Sequence, residues 1–282
     1  MPSQSTSLAA AASTTVLLGL AWLMAHRNFR REKGQASTID VNSLPSIVGS
    51  ESDSDNSDDS TSEGNPTLDL DLDVLPCIRN RRSIFPNGFK KNPPPLDERI
   101  VRSLLDAALY GPFHGKCFAG NRHPAKLVIL GTESMVNMQL LTLEYYDAHW
   151  KDLGCWSSEE EYQSFRKSTE DEITGRWGPV SYMIAVAMRR QSGPRRYPEW
   201  EEAAAVACAV QNMYIQSTRF NQLACYWSSW HDAARDSVEM KIFLDMGDED
   251  KCMGFFIMAQ AKNPDFQVRR TRDPSLMDVE WR

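Results

Sequence analysis

The 282-residue sequence lacks the short motifs that mark several large classes of enzyme. It contains no G-x-S-x-G serine, so its histidines have no nucleophile of the hydrolase type to serve. It also lacks a G-x-G-x-x-G turn after a strand and a G-x-x-x-x-G-K loop, which argues against a Rossmann dehydrogenase and a P-loop enzyme. No pair of acidic residues stands out for glycoside chemistry.

Positive charge is scarce. Lys and Arg number 31 against 38 Asp and Glu, which gives a net charge of -7. A nucleic-acid-binding protein usually carries a basic face, so this balance argues against a nucleic-acid partner. Much of the negative charge lies in residues 51–73, and the remaining chain is closer to neutral.

Cysteine is present without the spacing of a metal site. None of the six cysteines forms a C-x-x-C pair, and no histidine lies at metal-ligand spacing from them. A chain of this size does not need disulfide bonds to stabilise its core. We therefore expect reduced, mostly buried thiols, as in a cytosolic type of compartment, and no metal.

The N-terminal segment, residues 1–33, contains an uncharged run from Leu8 to Ala25. Its 18 residues meet the lower limit for a membrane-spanning helix. Four basic residues follow at 27, 30, 31 and 33, so the positive-inside rule places the C-terminal part in the cytoplasm. The sequence thus predicts a single-pass membrane anchor at residues 8–25. An organellar targeting segment is the alternative.

Residues 34–73 are rich in Ser, Asp and Glu, and the part from Glu51 to Glu63 has no apolar side chain. Such a segment cannot bury enough surface to offset the entropy of the chain. We expect an acidic, disordered and extended linker.

Residues 74–282 show the patterns of a folded domain. Apolar residues recur at helical spacing in several segments, and three short apolar runs are typical of buried strands. The helices predicted in this way are 96–110, 135–150, 152–174, 199–220 and 238–244, after a short helix that begins near residue 74, and the strands are 126–131, 182–188 and 252–259. Helices dominate and the strands are spread along the chain, which favours an α+β domain with a sheet between helices. The small side chains at 203–210 predict close helix packing or a subunit interface.

Three separated clusters carry the side chains most suited to chemistry: Arg81-Arg82-Ser83, His114-Gly115-Lys116 and Trp227-Ser228-Ser229. Adjacent arginines present planar donors that suit a phosphate group. The arginine pair therefore predicts an anion-binding site.

The order of these segments resembles the nitroreductase superfamily of FMN-dependent oxidoreductases, and most of all its small single-domain branch with an R-R-S motif. The similarity runs from Ile78–Ser83 through the Pro112-x-His114-Gly115 loop and the run Trp200–Met213. It continues to Trp227–Ser229 and to the turn and strand at Glu249–Gln260. This resemblance implies a nitroreductase-like fold, with a central, mostly antiparallel sheet flanked by helices, in a homodimer.

The same resemblance implies roles for particular residues. Arg81, Arg82 and Ser83 match the family's contacts to the phosphate and ribityl chain of FMN. His114 matches a histidine that reaches the flavin from the other subunit. Trp227, Ser228 and Ser229 match the segment along the flavin ring, and Arg270 or Arg272 matches a C-terminal basic residue that reaches the phosphate.

The activity implied by the resemblance is a ping-pong transfer of hydride from NAD(P)H through FMN to a nitroaromatic, a quinone or a similar small acceptor. The flavin would supply the redox chemistry, and the protein would supply position and electrostatics. No catalytic side chain is expected. FMN would lie at the interface of the homodimer.

The sequence departs from the family pattern at three places. Phe85 and Pro86 stand where another arginine is usual, Ala125 stands where a tryptophan usually follows the proline, and Trp230 stands where a small residue is usual. These departures bear on turnover more than on the fold. The alternatives are a flavoprotein-like interaction module that has lost turnover, and a reductase of the dehalogenase type.

Overall fold

The computed structural model describes residues 74–113, 122–175, 177–193 and 196–264, together with 277, 278 and 280. All of them belong to the second of two units into which the chain divides, Asp69–Arg282. The predicted anchor at residues 8–25 and the predicted linker at 34–73 therefore lie outside the described residues.

Seven α-helices occur in the described part of the chain. They are α1 Pro76–Asn80, α2 Glu98–Ala108, α3 Thr132–Leu153, α4 Glu159–Gly175, α5 Glu199–Ser217, α6 Asp232–Arg235 and α7 Val238–Phe243. Local sequence explains their ends. The Asp97 side chain caps α2 by accepting a hydrogen bond from the backbone N–H of Arg99. Gly154, with a φ of 62°, ends α3 in the left-handed conformation.

The sheet has four antiparallel strands in the order β1-β2-β4-β3. The strands are β1 Ala125–Leu130, β2 Val180–Met188, β3 Leu223–Ser228 and β4 Lys251–Gln260. The two central strands, β2 and β4, are buried along most of their length because helices cover both faces. Of the four, β1, β2 and β4 agree with the predicted strands, whereas β3 was not predicted.

Helices α3 and α7 cover one face of the sheet, where Met138 and Met240 pack among the buried side chains. Helices α2 and α5 cover the other face, where Leu104 and Val210 are buried. The α+β class and the antiparallel sheet between helices are thus confirmed.

The small side chains of α5 allow α2 to approach it closely. A Cβ atom added at Gly111, just after α2, would lie 3.1 Å from the atoms of Ala209. Larger side chains at this crossing would separate the two helices. The close packing predicted for 203–210 is therefore observed at Ala209, against a helix of the same chain.

A buried ion pair fixes the start of α5 to the end of β2. Arg190 Nη1 donates to Glu202, whose side chain is fully buried. The second carboxylate oxygen of Glu202 accepts a hydrogen bond of 3.2 Å from the backbone N–H of Gln191. A buried charge needs such partners to offset its desolvation.

The predicted membrane localisation is corrected. Within the described ranges, no helix combines the length and the apolar character needed to cross a bilayer. An anchor with the C-terminal domain facing the cytoplasm is therefore not retained. The five described cysteines are free, but only Cys225 and Cys252 are buried, so the expectation of mostly buried thiols was too broad.

Candidate flavin site

The predicted arginine cluster follows α1 in an extended segment. Arg81 caps the C-terminus of α1, and Arg82 and Ser83 come directly after it, all three half-buried. Trp227 and Ser228 end β3, and Ser229 is the next residue. The two other predicted cofactor-binding residues, His114 and Arg270, lie outside the described residues.

The segment after Ser83 packs along the outer edge of β3 and the end of β4. The Ile84 backbone N–H donates to the carbonyl oxygen of Cys225 at 3.0 Å. Further along, the Lys90 N–H donates to Gln260 and the Lys262 N–H donates to Gly88. These bonds occupy an edge that would otherwise expose unpaired backbone groups, and they hold the arginines beside β3.

Tyr214, near the end of α5, connects the arginine cluster to the tryptophan cluster. Its hydroxyl accepts a hydrogen bond of 2.6 Å from the backbone N–H of Trp227 and lies 3.2 Å from Ser83 Oγ. The guanidinium carbon of Arg81 lies 5.0 Å from the centre of the Tyr214 ring. Two segments more than 140 positions apart in the chain therefore meet at one phenol.

Within the described part of the chain, no acid neutralises the positive charge of the arginine cluster. Arg81 and Arg82 make no ion pair with a carboxylate of the described residues. The positive charge of the two arginines lowers the pKa of the Cys225 thiol. Burial raises the pKa of that thiol to about 11, while a bond from Ser217 and the two arginines oppose the rise. Two guanidinium groups on half-buried residues, with no acidic partner among the described residues, suit an anionic ligand.

Tyr214 remains a neutral hydrogen-bonding group. Burial raises the pKa of its hydroxyl, although the bonds with Ser83 and Trp227 and the charge of Arg81 act in the opposite direction. The phenol therefore keeps its proton at neutral pH. It can accept one hydrogen bond and donate another.

The end of β3 lies close to β4. Gly254 has a φ of 107°, and a Cβ atom added there would lie 2.1 Å from the carbonyl oxygen of Ser228. Only glycine avoids this contact, so β4 shapes the backbone at the predicted flavin segment. Ser228 Oγ accepts a bond of 3.2 Å from the Trp230 N–H, and the Ser229 carbonyl accepts one of 2.7 Å from Arg235.

A family model described as the nitroreductase family matches residues 78–259, about two thirds of the chain. The chain belongs to the nitroreductase family. A comparison with curated proteins found no match. The match confirms the resemblance found in the sequence.

Several solved structures of nitroreductases and a nitroreductase-like protein are similar to this chain at low sequence identity. An FMN-bound nitroreductase from Bacteroides fragilis is 14% identical, with a TM-score of 0.50 over 73% of this chain and 97% of that chain. A nitroreductase-like protein from Bacillus cereus is 19% identical, with a TM-score of 0.49 and coverage of 72% and 94%. A Mycobacterium smegmatis nitroreductase in complex with NADPH is 11% identical, with a TM-score of 0.48 and coverage of 73% and 96%.

Two of the departures from the nitroreductase pattern lie away from Tyr214. Trp230 adopts a φ of 54°, and its ring packs against Trp177 and Phe255 on the α3 face of the sheet. Trp227 packs on the opposite, α5 face. Ala125 begins β1 at the far edge of the sheet.

Phe85 stands where the nitroreductase resemblance leads one to expect a further arginine. Its side chain is 57% exposed, and its ring lies 5.0 Å from that of Tyr226, measured between centroids. Tyr226 belongs to the α3 face of the sheet. Phe85 thus contributes no charge to the arginine cluster.

Tyr214 was not among the site residues predicted from the sequence. Its spacing from Val210 along α5 marks a buried position, and its side chain is 7% exposed. A buried tyrosine hydroxyl usually finds a hydrogen-bond partner. This requirement could have marked Tyr214 in the sequence as a hydrogen-bonding residue, but it does not identify Ser83 or Trp227 as the partner. No group of three or more potential metal ligands occurs among the described residues.

Proposed function

We propose that this chain is an FMN-dependent oxidoreductase with its flavin domain at residues 74–282. The observation that carries the proposal is the meeting of Arg81, Ser83 and Trp227 at Tyr214, with both arginines lacking a carboxylate partner in the described part of the chain. Membership of the nitroreductase family and the bound FMN of the Bacteroides fragilis protein support the choice of flavin.

The residues suit the two ends of FMN. Arg81 and Arg82 would neutralise the phosphate, and Ser83 would donate a hydrogen bond to an oxygen at the same end. The backbone of Trp227–Ser229 would lie beside the ring system. Trp227 already donates its N–H to Tyr214, whereas the Ser229 N–H has no acceptor among the described residues. Ser229 is therefore the donor of this segment best placed to serve the ring.

When bound, FMN would take a hydride from NAD(P)H and pass it, in a ping-pong sequence, to a nitroaromatic, a quinone or a similar small acceptor. The protein's own groups would bind and orient the cofactor, and none of them need donate or remove a proton. The NADPH in the complex of the Mycobacterium smegmatis protein supports the choice of electron donor.

We further propose that the active form is a homodimer, with His114 of the partner subunit and Arg270 completing the site. Exposed apolar side chains at the ends of the two helices that pack together support this proposal. Leu109, Tyr110 and Trp200 are 78%, 84% and 71% exposed. Sedimentation of the full chain should give twice the monomer mass, and a strictly monomeric protein would refute the dimer.

Visible spectroscopy of the purified full chain tests the main proposal. The protein should be yellow or should take up added FMN, and NADPH or NADH should bleach the flavin band under anaerobic conditions. Addition of an acceptor should then restore the flavin band. A colourless protein that takes up no added FMN would reject the proposal and favour a flavin-free interaction module. If the protein binds FMN but neither NADPH nor NADH bleaches the flavin band, the proposed cofactor is correct and the proposed electron donor is wrong.

A further inference from the structure

Tyr214 contacts Arg81 and Ser83, which are proposed to hold the FMN phosphate, but it lies in a different segment of the chain. The helix α5 carries Tyr214, whereas Arg81 and Ser83 lie in the segment after α1. The ring of Tyr214 also packs against Phe256 at 4.9 Å between centroids, which fixes its position on the sheet. The phenol is therefore a rigid support beneath a segment that has little secondary structure of its own.

One of the two hydrogen bonds at the Tyr214 hydroxyl has a fixed direction. A backbone N–H only donates, so the bond from Trp227 requires the Tyr214 oxygen to accept. The phenolic proton is then available for the other neighbour of that oxygen, Ser83 Oγ at 3.2 Å. If Ser83 Oγ accepts that proton, its own proton is free for a third group. In that arrangement Ser83 is a donor towards a ligand.

The contact with Arg81 also leaves donors free. The guanidinium lies over the aromatic ring, 5.0 Å from its centre, so the attraction comes from the face of the ring. An arginine held in this way keeps its N–H groups for an anion, whereas an arginine held by a carboxylate would not.

We propose that Tyr214 is a positioning residue that orients Ser83 and Arg81 towards the phosphate of FMN. This inference rests on the proposed function, since it concerns the same site. Tyr214 itself need not touch the cofactor. Its effect should therefore depend on whether the ligand carries a phosphate group.

The variant Tyr214→Phe tests the inference in the full chain. The dissociation constants for FMN and for riboflavin, which lacks the phosphate, would be measured by titration of flavin fluorescence. We expect the FMN affinity to fall about tenfold and the riboflavin affinity to change by less than about twofold, since one oriented hydrogen bond is worth about a factor of ten. A merely structural role for Tyr214 would weaken both ligands equally.

Tyr146→Phe is the matched control. It also removes a buried phenol hydroxyl, but Tyr146 belongs to an aromatic cluster between α3 and α4. The FMN-to-riboflavin ratio should not change in this variant. Ser83→Ala should reproduce the ratio of Tyr214→Phe, and the double variant should be no worse than either single one, because both changes remove the same donor.

The outcomes of these titrations distinguish a failure of the positioning role of Tyr214 from a failure of the proposed function. Equal losses for the two ligands, or no loss, in Tyr214→Phe would overturn the positioning role while the proposed function stands. Wild-type protein that binds neither ligand would overturn both. If Tyr214→Phe does not fold, as judged by circular dichroism, Ser83→Ala decides alone. An unchanged FMN-to-riboflavin ratio in Ser83→Ala would overturn the inference, and a tenfold loss would support it.

Discussion

The hydroxyl group of Tyr214 accepts a hydrogen bond of 2.6 Å from the backbone N–H of Trp227. This bond ties α5 to the outer edge of β3, where Ile84 also donates to the carbonyl of Cys225. The same hydroxyl lies 3.2 Å from Ser83 Oγ. A helix, an edge strand and the arginine segment are thus joined at one atom.

Replacement of Arg82 by alanine should weaken FMN binding. A hydrogen bond to a charged group contributes about 1.5–3 kcal/mol, so we expect the affinity to fall roughly 10- to 100-fold. Flavin content after dialysis and fluorescence titration would measure the loss. Arg102→Ala is the control, because Arg102 is exposed and pairs only at the surface with Glu98. Flavin content equal to that of the wild type in Arg82→Ala would refute the phosphate role.

Gly254→Ala should be strongly destabilising, because its φ of 107° is unfavourable for alanine and its Cβ would lie 2.1 Å from the Ser228 carbonyl oxygen. We expect a loss of about 3–5 kcal/mol in the free energy of unfolding, measured with urea. Gly193→Ala separates the two causes, since Gly193 has a φ of 99° and no atom of the described residues lies within 4 Å of an added Cβ. That control should lose only about 1–2 kcal/mol. Equal losses would argue against the close approach of β3 and β4.

Glu202→Gln should show what the buried ion pair of Arg190 and Glu202 contributes to the stability of the fold. Arg190 would keep its charge in a buried position without a carboxylate partner, which is expected to cost about 3–5 kcal/mol of unfolding free energy. Glu249→Gln removes a partner from the exposed pair with Arg196 and should cost less than about 1 kcal/mol. Urea unfolding of both variants gives the comparison. A loss below about 1 kcal/mol in Glu202→Gln would show that water reaches Arg190.

The stability that Asp147 contributes should depend on pH. Partial burial raises the pKa of its carboxyl group, but hydrogen bonds from Arg166 and Tyr162 outweigh this and hold the pKa below its ordinary value of 3.8. A carboxylate whose folded pKa is depressed stabilises the fold above its ordinary pKa and loses that effect as pH falls through the folded value. The difference in unfolding free energy between wild type and Asp147→Asn should therefore be largest above about pH 5 and shrink below pH 3.8.

The size of that difference should be modest, about 0.5–1 kcal/mol, because the pair of Asp147 with Arg166 is about one third exposed. Chemical unfolding between pH 3 and pH 7 would measure it. Asp152→Asn, a change at an exposed position of the same helix, is the control. A pH-independent difference for Asp147→Asn would mean that the two bonds do not favour the charged carboxylate.

The longer helices and the central strands were predictable because their apolar patterns are local, whereas the short helix α6 was not predicted. Helix α2 follows from the spacing of Ile100, Leu104 and Ala108, and strand β2 follows from an uninterrupted apolar run. Strand β3 was missed because its residues, Leu223–Ser228, mix large, small and hydroxyl side chains without a clear alternation. It forms because β4 and the segment from Ile84 provide hydrogen-bond partners, which are distant in the sequence.

The sequence by itself determined the α+β class, the family and the identity of two of the clusters that meet at the site. Their recognition needs only residue types, local periodicity and order along the chain. Only the tertiary structure decided that Tyr214 joins Ser83 to Trp227. It also decided that the Ser228 carbonyl leaves no space for a side chain at Gly254. It placed Trp230 and Trp227 on opposite faces of the sheet. Each of these depends on where β3 lies beside α5 and β4, and long-range packing sets that position.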